Sequence, residues 1–318
     1  MIKVLIIKNI HKSGIELLNK SKDFSYEIVE NVETDFLKNK LRDCEAISLR
    51  TSKFTKELIE SAPKLKIISR HGVGYDNVDL NAAKKKKIII SITSNSLAAT
   101  VAEHVFFMML NISRGLDAYD KSVKEGNFSS RKNLALSKEL WKKSILIVGF
   151  GRIGKNLIKK CIGFEMNVLV YDPYVDEKII NDLGGKKINN FYEVIKEMDY
   201  VSIHMPLTEK SNNLINIKVL STMKKSSIII NTSRGGIVNE IDLNEALNKG
   251  MIFGAGLDVF EKEPPDKNNP LLKNKRVFLS PHTSTFTEEC TERMGKETIQ
   301  NIIDFFQNKL DKSKIVKL

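Results

Sequence analysis

The sequence predicts an α/β protein made of two doubly wound parallel-sheet domains. Three observations predict it. Short β-rich runs alternate with segments of helical patterning along the chain, the order that gives parallel sheets with helices on both faces. The runs fall into two series, separated by one long apolar stretch of helical character. A length of 318 residues also suits two ordinary domains better than one oversized core.

The first series of strands is expected at 3–7, 26–29, 46–49, 66–69 and 88–92, with helical stretches at 55–62 and 81–87. The separating stretch, "SLAATVAEHVFFMMLNISRG" (96–115), reads as one helix with Ser96 or Thr100 as its cap. It is apolar on so many faces that both domains, or a second subunit, are expected to cover it. The domain boundary is placed there. The second series is expected at 144–148, 167–171, 200–204, 227–231, 254–259 and 277–279. Runs such as "IIIN" (228–231) are near-continuous Ile and Val, as in strands buried on both faces.

Composition narrows the function. The formal net charge is +12, and lysine supplies 42 of the 51 basic residues, spread along the chain. The tetralysine 84–87 is expected at an exposed helix end. There is no zinc-finger spacing and no basic stretch interleaved with aromatics, so nucleic acid is not the expected partner. A positive field would instead draw in anionic metabolites. No apolar run reaches the ~18 residues of a membrane span, and "MIKVLIIKN" reads as a first strand, not an export signal. Cys44, Cys161 and Cys290 lack paired spacing, which argues for a reducing cytoplasm and against a metal site or disulfide frame.

The strongest motif is "SILIVGFGRIGKN" (144–156), in which a strand feeds Gly149-Phe-Gly151-Arg-Ile-Gly154 and then a helix. Gly149 permits the tight turn, Gly151 lets backbone approach a pyrophosphate, and Gly154 lets the helix pack on the strand. Asp172 ends the next strand, where a carboxylate holds the ribose hydroxyls of NAD and repels the extra phosphate of NADP. NAD is therefore expected over NADP.

A hydride cofactor needs a partner that moves a proton, and histidine is the usual one. His11 lies in a polar loop, His104 is expected to be packed inside the long helix, and His71 has no obvious acidic partner. His204 ends a strand in "HMPLT", where the adenosine half of NAD should sit. His282, in "SPHTS", also ends a strand, and Asp258, Glu261 and Glu263 in "GLDVFEKEPP" supply acids to raise an imidazole pKa. Arg234 ends the core strand of "IIINTSRGGIVNE", where an unpaired buried charge is expensive. Arg234, Glu263 and His282 thus follow successive strands, on the edge where such sheets bind ligands.

With "GVGYDNVDL", "VAEH", "GFGRIG", "HMPLT", "INTSRGGIVNE", "GLDVFEKEPP" and "SPHTS" in order and spacing, the chain resembles the D-isomer-specific 2-hydroxyacid dehydrogenases, and most of all the D-3-phosphoglycerate dehydrogenases. The resemblance implies a Rossmann NAD-binding domain (98–287) inserted in a discontinuous, flavodoxin-like substrate domain (1–97 and 288–318), and a homodimer formed through the cofactor domains. It implies catalytic roles for Arg234, Glu263 and His282. Arg152, Ile153, Asp172, Met205, Thr232 and Asp258 match cofactor contacts, with His204 and Pro206 beside them.

On this reading Arg234 grips the carboxylate of a 2-hydroxy or 2-keto acid, with Gly235 and Gly236 leaving room for it. Backbone N–H groups of His71–Gly74, including Val73 and Gly74, hold its other end. Arg50 and Arg70, at two strand ends, are expected to bind a second anion such as phosphate, and Arg131 resembles a further phosphate contact lent by a neighbouring subunit. The expected substrate pair is 3-phosphoglycerate and 3-phosphohydroxypyruvate, without serine feedback through a C-terminal domain. Glyoxylate or hydroxypyruvate reduction, D-lactate or sulfolactate oxidation and an NAD-sensing co-repressor role are the other readings that the resemblance leaves open.

Overall fold

A computed structural model describes residues 1–318, the side chains of Leu116 and Ser130 excepted. The chain divides into two compact units, Met1–Leu97 with Phe286–Leu318, and Ala98–Thr285.

The first unit holds strands β1 (Ile2–Ile7), β2 (Phe24–Val29), β3 (Ala46–Leu49), β4 (Ile67–Arg70) and β5 (Ile89–Ile92). They form one parallel sheet in the order β2-β1-β3-β4-β5. Period-two alternation sends successive residues to opposite faces. Leu5 and Ile7 join Leu37, Leu41, Leu58 and Ala83 from helices on one face, while Val4 and Ile6 join Leu18, Ile299 and Ile302 on the other. The second of these faces is covered by the helices Lys12–Asn19 and Glu288–Phe306. Lys84–Lys87 are all exposed at the end of the helix Leu80–Lys85, as expected.

The second unit holds β6 (Ser144–Val148), β7 (Asn167–Tyr171), β8 (Lys186–Ile188), β9 (Tyr200–Ile203), β10 (Ile228–Asn231), β11 (Gly254–Leu257) and β12 (Val277–Leu279). They form a parallel sheet in the order β12-β11-β10-β9-β6-β7-β8. The winding reverses between β6 and β9, so a crevice opens at their carboxyl ends, the usual ligand position in such sheets.

Two local expectations need correction. The helix Ala98–Arg114 buries Ala102, Val105, Phe106, Met108 and Met109 against Ile145, Ile147, Ile228 and Ile230 of its own unit's sheet, so one face in one unit supplies its main cover. Ser96 does not cap it: the Ser96 N–H and hydroxyl both donate to the Glu297 carboxylate, and Thr100 lies inside the first turn. Strand β8 was not expected, because Lys186 and Lys187 give it no apolar run. It is a short lysine-bearing edge strand, which blunts the sheet against further pairing.

Candidate active site

Each residue of the glycine loop has its own steric reason. Gly149 ends β6 at φ +94°, and a Cβ there would lie 2.6 Å from the His204 carbonyl oxygen. A Cβ on Gly154 would lie 2.7 Å from the Gly149 carbonyl oxygen. Both positions are closed to a side chain by backbone. Around Gly151 nothing lies within 4 Å of such a Cβ, so open space faces the start of the 12-residue helix Arg152–Gly163. The N–H groups and the dipole of a helix start suit an anion. Arg152 is exposed there and Ile153 half-buried.

Asp172 is built into this loop. Its Oδ2 accepts the Phe150 N–H at 2.7 Å, and its Oδ1 accepts the N–H groups of Tyr174 at 2.8 Å and Val175 at 3.1 Å. Across the crevice, the His204 N–H donates to the Val148 carbonyl. Met205 is half-buried and Pro206 exposed. The His204 Nε2 lies 2.8 Å from the Ser202 hydroxyl, its Nδ1 is buried without a partner, and burial pushes its pKa down to about 3. Thr232, past the end of β10, has a buried hydroxyl oxygen that also lacks a partner. His204 is thus a neutral packing group at neutral pH and not a proton carrier.

Beyond β10, β11 and β12 lie Arg234, Glu263 and His282, the last two in contact and both within the field of the first. His282 Nδ1 lies 2.8 Å from Glu263 Oε2. The other Glu263 oxygen accepts the Phe260 N–H at 3.1 Å. Arg234 donates from one guanidinium nitrogen to the Ser233 carbonyl at 2.6 Å, and Asn231 Nδ2 donates to the Arg234 carbonyl. The His282 pKa is raised, first by its bond to Glu263, against desolvation and the positive charge of Arg234. Desolvation pushes Glu263 up, but the His282 bond and charge, the Phe260 N–H and Arg234 together hold it below its usual range. A cavity of about 420 Å³, walled by Phe260, Pro264, Leu272 and Leu279, opens beside this pair.

Of the three acids in this loop only Glu263 reaches the imidazole side chain. Glu261 trades backbone N–H bonds with Glu240. Asp258 is fully buried: Oδ1 accepts the Ser280 hydroxyl at 2.6 Å and the Thr283 N–H at 2.8 Å, and Oδ2 accepts the Ser284 N–H at 3.0 Å. The carboxylate has no exposed surface to offer a cofactor, and in this structure it holds the loop that carries His282. Its backbone carbonyl also accepts the His282 N–H at 2.9 Å. His104 was read as merely packed, yet its Nε2 lies 2.9 Å from the Ser280 hydroxyl. The "VAEH" run carried no sign of this, because Ser280 lies 176 residues further along the chain.

Gly235 does not leave room for substrate. A Cβ there would fall 1.8 Å from the Phe260 carbonyl oxygen, so the missing side chain makes room for protein backbone.

In the first unit, Arg70 departs from its expected role. It is 7% exposed, and its guanidinium donates to the carbonyls of Gly74 at 2.6 Å, Leu49 at 2.6 Å and Arg50. It ties two strand ends and the following loop together, so it is not displayed for phosphate. Arg50 is half-buried and donates to the Asn9 carbonyl at 3.0 Å. The His71 N–H is committed to the Leu49 carbonyl and its Nδ1 lies 2.9 Å from the Thr298 hydroxyl, which narrows the backbone anion-binding expectation to 72–74. Val73 and Gly74 are half-buried, and Arg131 is exposed in the short helix Phe128–Lys132 of the second unit.

Residues 106–284 match the family model of the D-isomer specific 2-hydroxyacid dehydrogenase, NAD binding domain. The chain belongs to the D-isomer specific 2-hydroxyacid dehydrogenases. NAD is the cofactor of this domain, and the residues present fit it: open space at Gly151, a carboxylate fixed at Asp172 and an unpartnered hydroxyl at Thr232.

Within the family the chain is 36% identical over 317 residues to a glyoxylate reductase of Thermococcus litoralis, covering 97% of this chain and 95% of that one. It is 35% identical over 303 residues to a D-3-phosphoglycerate dehydrogenase of Methanocaldococcus jannaschii, covering 95% of this chain but only 57% of that relative's length. The D-lactate dehydrogenase of Aquifex aeolicus, solved with NAD and lactic acid, superposes with a TM-score of 0.86 at 31% identity, over 98% of each chain.

Proposed function

We propose that the chain moves a hydride between NAD and a D-2-hydroxy acid or its 2-keto acid. The observation that carries this reading is the His282–Glu263 pair, 2.8 Å apart and within the field of Arg234, in an NAD-binding domain. NAD supplies the hydride acceptor in oxidation and, reduced, the donor. The protein supplies the proton and the charge. In reduction, the His282 imidazolium gives its Nε2 proton to the carbonyl oxygen, while Glu263 at Nδ1 keeps the ring oriented and stabilises its positive form. In oxidation, neutral His282 takes the hydroxyl proton. Arg234 binds the carboxylate and polarises the adjacent keto oxygen. Met205 and Pro206, on the far side of the crevice, and Arg152 and Ile153 at the helix start are proposed cofactor contacts.

For the substrate we favour an unphosphorylated small acid of the glyoxylate or hydroxypyruvate class. Arg70 is spent on three carbonyls, which removes one of the two arginines that suggested a second anion. The glyoxylate reductase relative is matched over nearly its whole length. The phosphorylated substrate, 3-phosphohydroxypyruvate, is the second reading through Arg50, a half-buried residue at the end of β3. Arg131 and the backbone of Val73 and Gly74 belong to this proposal as substrate contacts, and the first unit is its substrate domain.

A homodimer through the second unit is supported by the exposed apolar side chains Phe128, Leu136 and Trp141. Light scattering tests it, and a monomer at micromolar concentration overturns it. The substrate test is NADH oxidation with glyoxylate, hydroxypyruvate, 3-phosphohydroxypyruvate, pyruvate and sulfopyruvate. A higher kcat/KM for the phosphorylated acid than for hydroxypyruvate overturns the preference, and no turnover with any of them overturns the activity.

A further inference from the structure

We propose that His104 is a positioning residue for His282, acting through Ser280 and Asp258. The hydrogen-bond chemistry fixes its direction. An ionised carboxylate only accepts, so the Ser280 hydroxyl proton points at Asp258 Oδ1, 2.6 Å away. The Ser280 oxygen is then left with lone pairs toward His104, whose Nε2 lies 2.9 Å away and must therefore carry the ring proton. Burial lowers the His104 pKa against the opposing charge of Asp258, which suits this neutral tautomer. The chain of donors runs from His104 to Ser280 to Asp258.

At its far end Asp258 receives the N–H groups of Thr283 and Ser284, and its carbonyl receives the N–H of His282. The His282 backbone sits at φ +52°, in the left-handed region that residues with a side chain adopt uncommonly. These bonds hold it there. His104 comes from the long helix at the start of the second unit and so links that helix to the loop carrying the proton donor.

The role predicts more than packing. Without the His104 donor the Ser280 oxygen is left unsatisfied, its bond to Asp258 loses the support of the donor behind it, the 282–284 loop loosens, and the bond from His282 to Glu263 lengthens. The charged groups acting on His282 are Glu263, Asp258 and Arg234, and Glu263 acts most strongly. A looser bond therefore moves the His282 titration down, toward that of a free imidazole.

The inference rests on the proposed role of His282, and its test separates the two. Imidazole titrations of the free protein are read by NMR in the wild type, His104→Leu, His104→Gln and Ser280→Ala, with steady-state kinetics beside them. In His104→Leu the His282 midpoint should fall by about half a pH unit, and kcat should fall about tenfold at an unchanged KM for NADH. His104→Gln, which restores an N–H donor, should recover most of both. Ser280→Ala combined with His104→Leu should cost no more than the worse single change. An unmoved His282 midpoint in His104→Leu, or a His104→Gln variant as impaired as His104→Leu, overturns the proposal. Wild-type protein that turns over no 2-keto acid would sink the functional reading, whereas the titrations would still decide this one.

Discussion

Gly235 and Phe260 meet backbone to backbone, so closely that a Cβ on Gly235 would stand 1.8 Å from the Phe260 carbonyl oxygen. This contact locks the loop of Arg234 to the loop of Glu263, because Phe260 also donates its N–H to the Glu263 carboxylate. Gly235→Ala must push the two loops apart. We expect a loss of about 1–3 kcal/mol in stability and a larger fall in kcat than in cofactor affinity. Denaturant unfolding with steady-state kinetics checks it, and a wild-type kcat would refute the coupling.

Asp172 holds three backbone N–H groups, and its proposed role is to receive the ribose of NAD. Asp172→Asn removes the charge that would repel a 2′-phosphate, at the cost of the bond from the Phe150 N–H, because one accepting oxygen becomes an NH2 group. The ratio of kcat/KM for NADPH over NADH should rise by about tenfold, or roughly 1.4 kcal/mol. Comparable use of both cofactors by the wild type would count against this role.

The pH dependence follows from the His282–Glu263 pair. Reduction needs the imidazolium, so kcat/KM for reduction should be flat at low pH and decline as pH rises through the raised His282 pKa. Oxidation should show the opposite slope. Glu263→Gln removes the largest cause of the raised value and should bring the decline in reduction down by about one pH unit. The stability linkage has the same sign: a raised folded-state pKa stabilises fully below the unfolded value near 6.5 and loses that contribution as pH rises through the folded one. Both side chains are more than a third exposed, so this contribution is small.

Arg70 predicts a loss of stability and not of substrate choice. Arg70→Met leaves buried carbonyls without their donor and should cost about 3 kcal/mol. The relative kcat/KM for hydroxypyruvate and 3-phosphohydroxypyruvate should stay unchanged. A selective fall for the phosphorylated acid would restore Arg70 as a phosphate ligand.

Burial drives the thiols of Cys44 and Cys161 up to about 11 and about 12. Neither should react with a thiol-disulfide reagent near neutral pH until the protein unfolds. Rapid modification of the native state would contradict their burial.

The fold class was legible because parallel strands buried on both faces write themselves as Ile and Val runs, as at Ile228–Asn231. The glycine loop was legible because its three glycines each answer a local backbone demand. What escaped was non-local. The environment of Gly235 is set by Phe260, and that of His104 by Ser280, and spacing along the chain does not report such pairs. Arg70 misled for the same reason: a strand-end arginine looks displayed until the carbonyls around it are seen. β8 escaped because an edge strand is selected for charge and not for apolar pattern.

The helix Glu288–Phe306 covers a face of the first unit's sheet through Ile299 and Ile302, yet the ribosome makes it after all of Ala98–Thr285. Val4, Ile6 and Ile67 must therefore wait with only the helix Lys12–Asn19 over them while the second unit is being translated. Nascent chains paused inside that window should be the species most prone to clump and most in need of a chaperone's grip.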